Sequence, residues 1–172
     1  DRIGNQNFAI TYCPLCGTGV AFSADVGGKT LEFGVSGLLY NSDVLLYDRE
    51  TDSLWSQIMR KSVSGDFKGS KLELLPITHT SWQQWQSTHP ATLVLSDKTG
   101  YSRDYRSNPY EGYEKSRNLY FQVANKAPDW FHPKERTLGI ELNGRFKAYT
   151  FSEIDKTRQS TIKDEFGGKL LT

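Results

Sequence analysis

Residues 11–19 read Thr11-Tyr12-Cys13-Pro14-Leu15-Cys16-Gly17-Thr18-Gly19 and contain the only two cysteines of the chain. An extended, partly apolar run at 8–12 precedes the cysteines, and another begins at Val20. Pro14 fixes its own φ and lacks an amide donor, while the two glycines permit a tight backbone. The stretch therefore predicts a strand, a tight turn that carries two thiols, and a second strand.

Composition limits the classes of function. The 172 residues suffice for one domain with a real core, and nine Tyr, nine Phe and four Trp favour β structure. A net charge of +1 gives no electrostatic reason to bind nucleic acid or an anionic membrane. No window approaches the roughly 18 apolar residues of a membrane span. Gly27-Gly28 marks a hairpin turn without the helix of a phosphate-binding loop. We expect no nucleic-acid partner, no membrane span and no nucleotide cofactor.

Short extended segments alternate with turn residues through the first half of the chain. Such spacing is typical of a sandwich or a barrel. The predicted fold class is mainly β (β-rich α+β), with a sandwich or barrel-like antiparallel sheet and one or two short helices. A hairpin is expected to join 19–24 to 30–35, and 36–42 is expected to be a loop or bulge.

One helix is clear from the sequence. Residues 82–86 have helical spacing after a cap at Thr80 or Ser81, and His89-Pro90 ends the helix. A buried strand is expected next, at 92–95.

The end of the chain repeats a pattern from its beginning. Asp1-x-Ile3-Gly4-Asn5 and Asp164-x-Phe166-Gly167-Gly168 are both turn signals that lead into an apolar run. Asn143-Gly144 also predicts a hairpin between 137–142 and 145–150. We expect residues 1–172 to be a single, truncated domain, and residues 137–172 to repeat the unit that would precede residue 1.

The cysteine pair is the first candidate site, because two thiolates are soft metal ligands. A closed tetrahedral site takes four ligands, and no second CxxC supplies the rest. The other candidates are carboxylates and three histidines, of which His89 ends a helix where the dipole alone favours it, and His132 lies in a turn. We predict a copper or zinc ion bound by Cys13, Cys16 and His79.

Two other uses of the cysteine pair stay open. In a thiol–disulfide redox enzyme, Cys13 would be the attacking thiol and Cys16 the resolving thiol. The residues after Cys16 do not predict the helix that lowers a thiol pKa in such sites. In a structural role the pair shapes a turn, and the chain binds a small molecule or a protein elsewhere. The residues leave open whether the protein is an enzyme.

A second candidate site combines polar and aromatic residues, the usual make-up of a small-molecule pocket. An arginine on an aromatic surface suits a planar or anionic ligand. The alternative is a bulged strand with solvated side chains. The predicted pocket residues are Tyr40, Asn41, Ser42, Asp43, Trp55, Gln57, Arg103 and Tyr105.

Several long blocks carry a family signature. They read Thr11-Tyr12-Cys13-Pro14-Leu15-Cys16-Gly17-Thr18-Gly19-Val20-Ala21-Phe22, Phe33-Gly34-Val35-Ser36-Gly37-Leu38-Leu39-Tyr40-Asn41-Ser42-Asp43, Tyr47-Asp48-Arg49-Glu50-Thr51, Ser53-Leu54-Trp55-Ser56-Gln57, Ser81-Trp82-Gln83-Gln84-Trp85, Arg103-Asp104-Tyr105 and His132-Pro133-Lys134-Glu135-Arg136. These blocks resemble the DUF3179 family, a domain family of unknown function with a CPLCGT motif.

The resemblance implies organisation and location but no reaction. Family members often look exported, which implies an extracytoplasmic (periplasmic or secreted) protein. They typically have a segment resembling residues 139–149 ahead of the CPLCGT block, which implies the same repeat and truncation. We therefore expect an extracytoplasmic domain whose partner is a metal ion or a small molecule.

Overall fold

The computed structural model describes every residue from Asp1 to Thr172. Fourteen strands and two short helices make the protein β-rich, and all strand pairs are antiparallel, so the predicted fold class is confirmed. The sheets do not close into a barrel. The chain forms two compact units, Asp1–Tyr113 with Tyr120–Val123, and Glu114–Leu119 with Ala124–Thr172.

The first unit contains ten strands and one helix. They are β1 (Arg2–Ile3), β2 (Gln6–Cys13), β3 (Thr18–Ser23), β4 (Asp25–Val26), β5 (Lys29–Thr30), β6 (Phe33–Tyr40), β7 (Asp43–Asp48), β8 (Leu54–Ser56), β9 (Lys61–Ser64), β10 (Leu74–Leu75) and α1 (Trp82–Thr88). Two four-stranded sheets have the orders β1-β2-β3-β10 and β6-β7-β8-β9, and β4 and β5 pair with each other.

β2 and β3 form the hairpin that the cysteine stretch predicts. Their register pairs Cys13 with Thr18, which leaves 14–17 as the turn. Gly17 has a φ of +62°, which glycine adopts without strain. Four buried residues, 20–23, follow in β3, so the turn is anchored directly to the core.

β6 and β7 are joined by the two-residue turn Asn41-Ser42. Both turn residues have positive φ, +52° and +61°, as a type I′ hairpin turn requires. A register shift between Val35 and Leu39 is a β-bulge, so the predicted loop or bulge is a bulge inside a strand. The turn places Asp43 at the first position of β7.

The core of the first unit is aromatic. The Phe33 ring lies edge-on to Phe22 and Trp55, with centroids 5.1 and 5.8 Å apart, and Phe67 lies 5.6 Å from Trp55. Burial of a large apolar side chain contributes about 1.5–3 kcal/mol. These rings therefore hold the two four-stranded sheets together.

Two local predictions are wrong. Residues 92–95 form no strand, and Leu93 and Leu95 are 95% and 97% exposed. The hairpin after β3 is confined to β4 and β5, which turn at Gly27-Gly28, and the chain then enters the other sheet at β6. An apolar run becomes a strand only where a neighbouring edge accepts its hydrogen bonds.

The predicted helix is confirmed as α1. The Ser81 hydroxyl accepts a hydrogen bond from the Gln84 amide at 3.2 Å, as an N-cap residue does. The helix ends at His89, whose ring stacks on Trp85 at 3.8 Å. Neither helix of the protein is long and apolar enough to cross a membrane.

The second unit consists of two hairpins and a helix. They are β11 (Thr137–Leu142), β12 (Arg145–Thr150), α2 (Phe151–Thr157), β13 (Asp164–Phe166) and β14 (Lys169–Leu171). The predicted Asn143-Gly144 turn is confirmed between β11 and β12. Lys147 and Tyr149 of β12 both donate to the Asp164 carboxylate, the tyrosine at 2.6 Å, which ties the two hairpins together.

The first and last hairpins of the chain are similar in register. β1 and β2 turn after Ile3, and β13 and β14 turn after Phe166, each with a glycine of φ +59° at the next position. The internal repeat stays a prediction, and these matching turns agree with it.

Candidate metal centre

Cys13 and Cys16 lie at one end of the β2–β3 hairpin. Cys13 is the last residue of β2 and is buried, with 1% of its surface exposed, whereas Cys16 lies in the turn and is exposed. Both are free thiols, and the Cys16 sulfur donates a hydrogen bond to the Cys13 sulfur at 3.0 Å. The turn therefore holds the two sulfurs in direct contact.

The Cys13 sulfur is stabilised as a thiolate. The hydrogen bond from the Cys16 thiol is the main cause, and it lowers the pKa of Cys13 to about 6 even though desolvation opposes it. Backbone N–H groups of Cys16, Val44 and Leu15 lower the same pKa further. The same contact, with desolvation and the negative charges of Cys13 and Asp43, raises the pKa of Cys16.

Asp43 supplies a carboxylate to this pair. Its side chain is buried, and Oδ2 accepts hydrogen bonds from the Ser56 hydroxyl at 2.8 Å and the Ile58 amide at 3.1 Å. These two donors leave Oδ1 turned to the Cys16 sulfur, 3.6 Å away. The Cys13 sulfur, the Cys16 sulfur and a carboxylate oxygen of Asp43 all lie within 4.8 Å of one another, close enough to hold a metal ion.

The turn before Asp43 also contributes to the surroundings of the site. The Ser42 carbonyl lies 3.5 Å from the Cys16 sulfur, and the Ser42 hydroxyl donates to the Phe121 carbonyl at 2.8 Å. The β6–β7 turn thus contacts the cysteine turn through its Ser42 carbonyl and the segment at Phe121 through its Ser42 hydroxyl.

His79 lies beside the same hairpin but outside this group. One of its ring nitrogens, Nε2, is 3.0 Å from the carbonyl oxygen of Gly19, in β3. The group of ligand atoms within 4.8 Å consists of two cysteines and Asp43, without His79. The structure therefore places beside the cysteines a carboxylate that the sequence predicts for the small-molecule pocket.

Gln57 is fully buried under the cysteine hairpin. Its amide nitrogen donates to the Thr11 hydroxyl and to the Thr18 carbonyl, both at 3.1 Å. Since Thr18 pairs with Cys13 across the hairpin, Gln57 fixes the strand ends that carry the sulfurs. Gln57 therefore connects the end of β8, which it directly follows, to the end of β2 and the start of β3, next to the two cysteines.

The remaining predicted pocket residues differ in burial and in the contacts that they make. Trp55 is fully buried in the core, and its indole N–H donates to Asp48 at 2.8 Å. Tyr40 and Arg103 are exposed, and the Tyr105 hydroxyl contacts Thr99 at 2.7 Å. Asn41 lies in the β6–β7 turn. A groove of about 870 Å³ in the first unit contains none of the predicted pocket residues.

A β-rich protein with a dithiol–carboxylate group, able to hold a metal ion, is the class that this fold and site define. The chain belongs to the family described as Protein of unknown function (DUF3179), which matches residues 1–172. No curated protein and no solved structure matches the chain.

Proposed function

We propose that the protein binds a copper or zinc ion through Cys13, Cys16 and Asp43. The observation that carries the proposal is the contact of two sulfurs with a buried carboxylate, all within 4.8 Å. Thiolates are ligands for both Cu(I) and Zn²⁺, whereas a carboxylate oxygen adds affinity mainly for Zn²⁺. The donor set therefore favours zinc, with one coordination position left for water or an external ligand. An extracytoplasmic location is proposed with it, supported by the family resemblance alone.

A titration with reduced protein tests the proposal and identifies the ion. Asp43→Asn keeps the side-chain shape and removes the charged ligand. We expect Zn²⁺ affinity to fall by about 10–100-fold or more, because even groups that only support a ligand contribute that much. Cu(I) affinity is expected to change little, because two thiolates suffice for it.

His79→Ala is the matched control for this titration. The His79 ring contacts the Gly19 carbonyl and not the sulfurs. We therefore expect the metal affinity of His79→Ala to lie within about twofold of the wild-type value, a change in binding free energy well below the roughly 1.4 kcal/mol that a tenfold change represents. A large loss would instead add His79 to the ligand set. Failure of the reduced wild-type protein to bind either ion at one equivalent would refute the metal function.

The pH dependence of affinity is a second expected result. Both sulfurs must be thiolates in the complex. Above the Cys13 pKa of about 6 only the Cys16 thiol has a proton to lose on binding. Zn²⁺ affinity should therefore fall about tenfold for each unit by which the pH is lowered. Below that pKa both sulfurs are protonated, and the fall should steepen toward about 100-fold for each unit. Competition titrations between about pH 5 and 8 measure this slope, and a slope of two protons throughout contradicts a preformed Cys13 thiolate.

A further inference from the structure

The two sulfurs differ in access to solvent. Cys13 is 1% exposed, covered at the end of β2, whereas Cys16 is exposed in the turn. A thiol exchanges with a disulfide by direct attack of its sulfur on a disulfide sulfur, so the reacting sulfur must be reachable. An external disulfide can therefore reach Cys16, whereas the fold covers Cys13.

The two sulfurs are also close enough to react with each other. They lie 3.0 Å apart, in a turn where only Pro14 and Leu15 separate the two cysteines. When an external group becomes attached to the Cys16 sulfur, the Cys13 sulfur therefore lies beside the new bond. Cys13 needs no access to solvent to displace that group.

We propose that Cys16 is the attacking thiol toward low-molecular-weight disulfides, that Cys13 is the resolving thiol, and that this exchange controls whether the metal site can fill. The order is the reverse of the one expected from the sequence, where Cys13 attacks. The exchange rests only on the two cysteines. The control of metal binding rests on the metal function proposed above.

The reaction takes place in two balanced steps. In the first, the Cys16 thiol passes its proton to the Cys13 sulfur, to which it already donates a hydrogen bond, and attacks one sulfur of the disulfide, whose S–S bond breaks and releases one thiolate. In the second, the Cys13 sulfur gives this proton to solvent and attacks the Cys16 sulfur, the mixed disulfide breaks, and the second thiolate leaves. Above the Cys13 pKa the cysteine pair gives up two electrons and the one proton of Cys16, and the external disulfide becomes two thiolates, which take up protons from solvent according to their own pKa values.

The oxidised pair cannot serve as a metal ligand. Metal binding requires thiolates, and the exchange removes both sulfurs of a three-ligand group. Asp43 alone remains, which is too few ligands for a stable zinc or copper site. Conversely, a bound ion occupies both sulfurs and should slow the exchange.

The test uses oxidised glutathione and the intact mass of the full chain. Chelator-treated Cys13→Ser is expected to gain one glutathione at Cys16, because the resolving thiol is absent. Cys16→Ser is expected to gain it at least about tenfold more slowly, because only the buried sulfur remains. Wild-type protein should lose two hydrogens and carry no glutathione. In denaturant both variants should react alike, which shows that the fold makes the difference and that both remaining thiols are intact.

Each outcome decides one part of the proposal. Faster adduct formation on Cys16→Ser, or equal rates in the two folded variants, overturns the order of the thiols. If the order holds but one equivalent of Zn²⁺ does not slow oxidation of wild-type protein, control of the metal site is overturned. If wild-type protein binds no metal in the separate titration, the metal function fails while the order of the thiols stands.

Discussion

Asp48→Ala is expected to lower the free energy of unfolding by about 3 kcal/mol or more, a large part of the roughly 5–15 kcal/mol by which folded proteins are stable. The Asp48 carboxylate is fully buried and accepts three hydrogen bonds. Two come from Thr51, through its amide at 2.7 Å and its hydroxyl at 2.8 Å, and the third from the Trp55 indole at 2.8 Å. Removal of the carboxylate leaves the amide and the indole without acceptors, at about 1–3 kcal/mol each, and a cavity beside them.

Two carboxylate-to-amide changes make this measurement specific. Asp48→Asn keeps the volume, but its amide group must face either the Thr51 donors or the Trp55 donor, so we expect a loss of about 1–3 kcal/mol. Asp52→Asn is the control, because Asp52 is exposed with φ +55° and asparagine tolerates that conformation. Urea unfolding followed by tryptophan fluorescence measures all three. A loss below about 1 kcal/mol for Asp48→Ala would show that water replaces the carboxylate.

Local signals explain the parts of the fold that the sequence predicted correctly. The Asn143-Gly144 turn and the Ser81 cap each fix a few residues through backbone conformation, and both are confirmed. The failures concern pairing between distant segments. Gly27-Gly28 reads as a hairpin turn, but the pairing it starts ends after two residues, and the chain changes sheets. Residues 92–95 have strand-like composition and no neighbouring strand edge.

In the candidate site, too, the sequence predicts the local features and misses the contacts between distant segments. Cys13 and Cys16 were found by their spacing, which is local. Asp43 follows Cys16 by 27 residues in the chain and reaches it only because the β6–β7 turn lies against the cysteine turn. The Asn41-Ser42 turn signal could have placed Asp43 at a strand start, but not beside the cysteines. Trp55 fits a pocket as well as a core by residue type, because aromatic residues suit both, and only its burial shows that it belongs to the core.

Cys16→Ser is expected to abolish stoichiometric metal binding, with the affinity lowered by more than about 100-fold, while the protein stays folded. Loss of a direct ligand should exceed the roughly 10–100-fold that a group supporting a ligand contributes. The folded state should be nearly unaffected, within about 0.5 kcal/mol, because Cys16 is exposed and the serine hydroxyl can still donate a hydrogen bond to the Cys13 sulfur. This separation of binding from stability is what a structural cysteine pair cannot produce.

Cys13→Ser completes the comparison, because the Cys13 sulfur is both a proposed metal ligand and a buried acceptor of backbone N–H groups. We expect the same loss of metal binding and a larger loss of stability, about 1–3 kcal/mol, since a hydroxyl replaces a buried thiolate. Thermal unfolding of both metal-free variants, beside Co²⁺ titrations that report thiolate-to-metal charge transfer, measures the two effects separately. If Cys16→Ser binds metal as wild type does, the cysteines shape the turn and the ion does not belong there. If both variants lose metal binding while only Cys13→Ser loses stability, both sulfurs are metal ligands, and only the Cys13 sulfur also stabilises the fold.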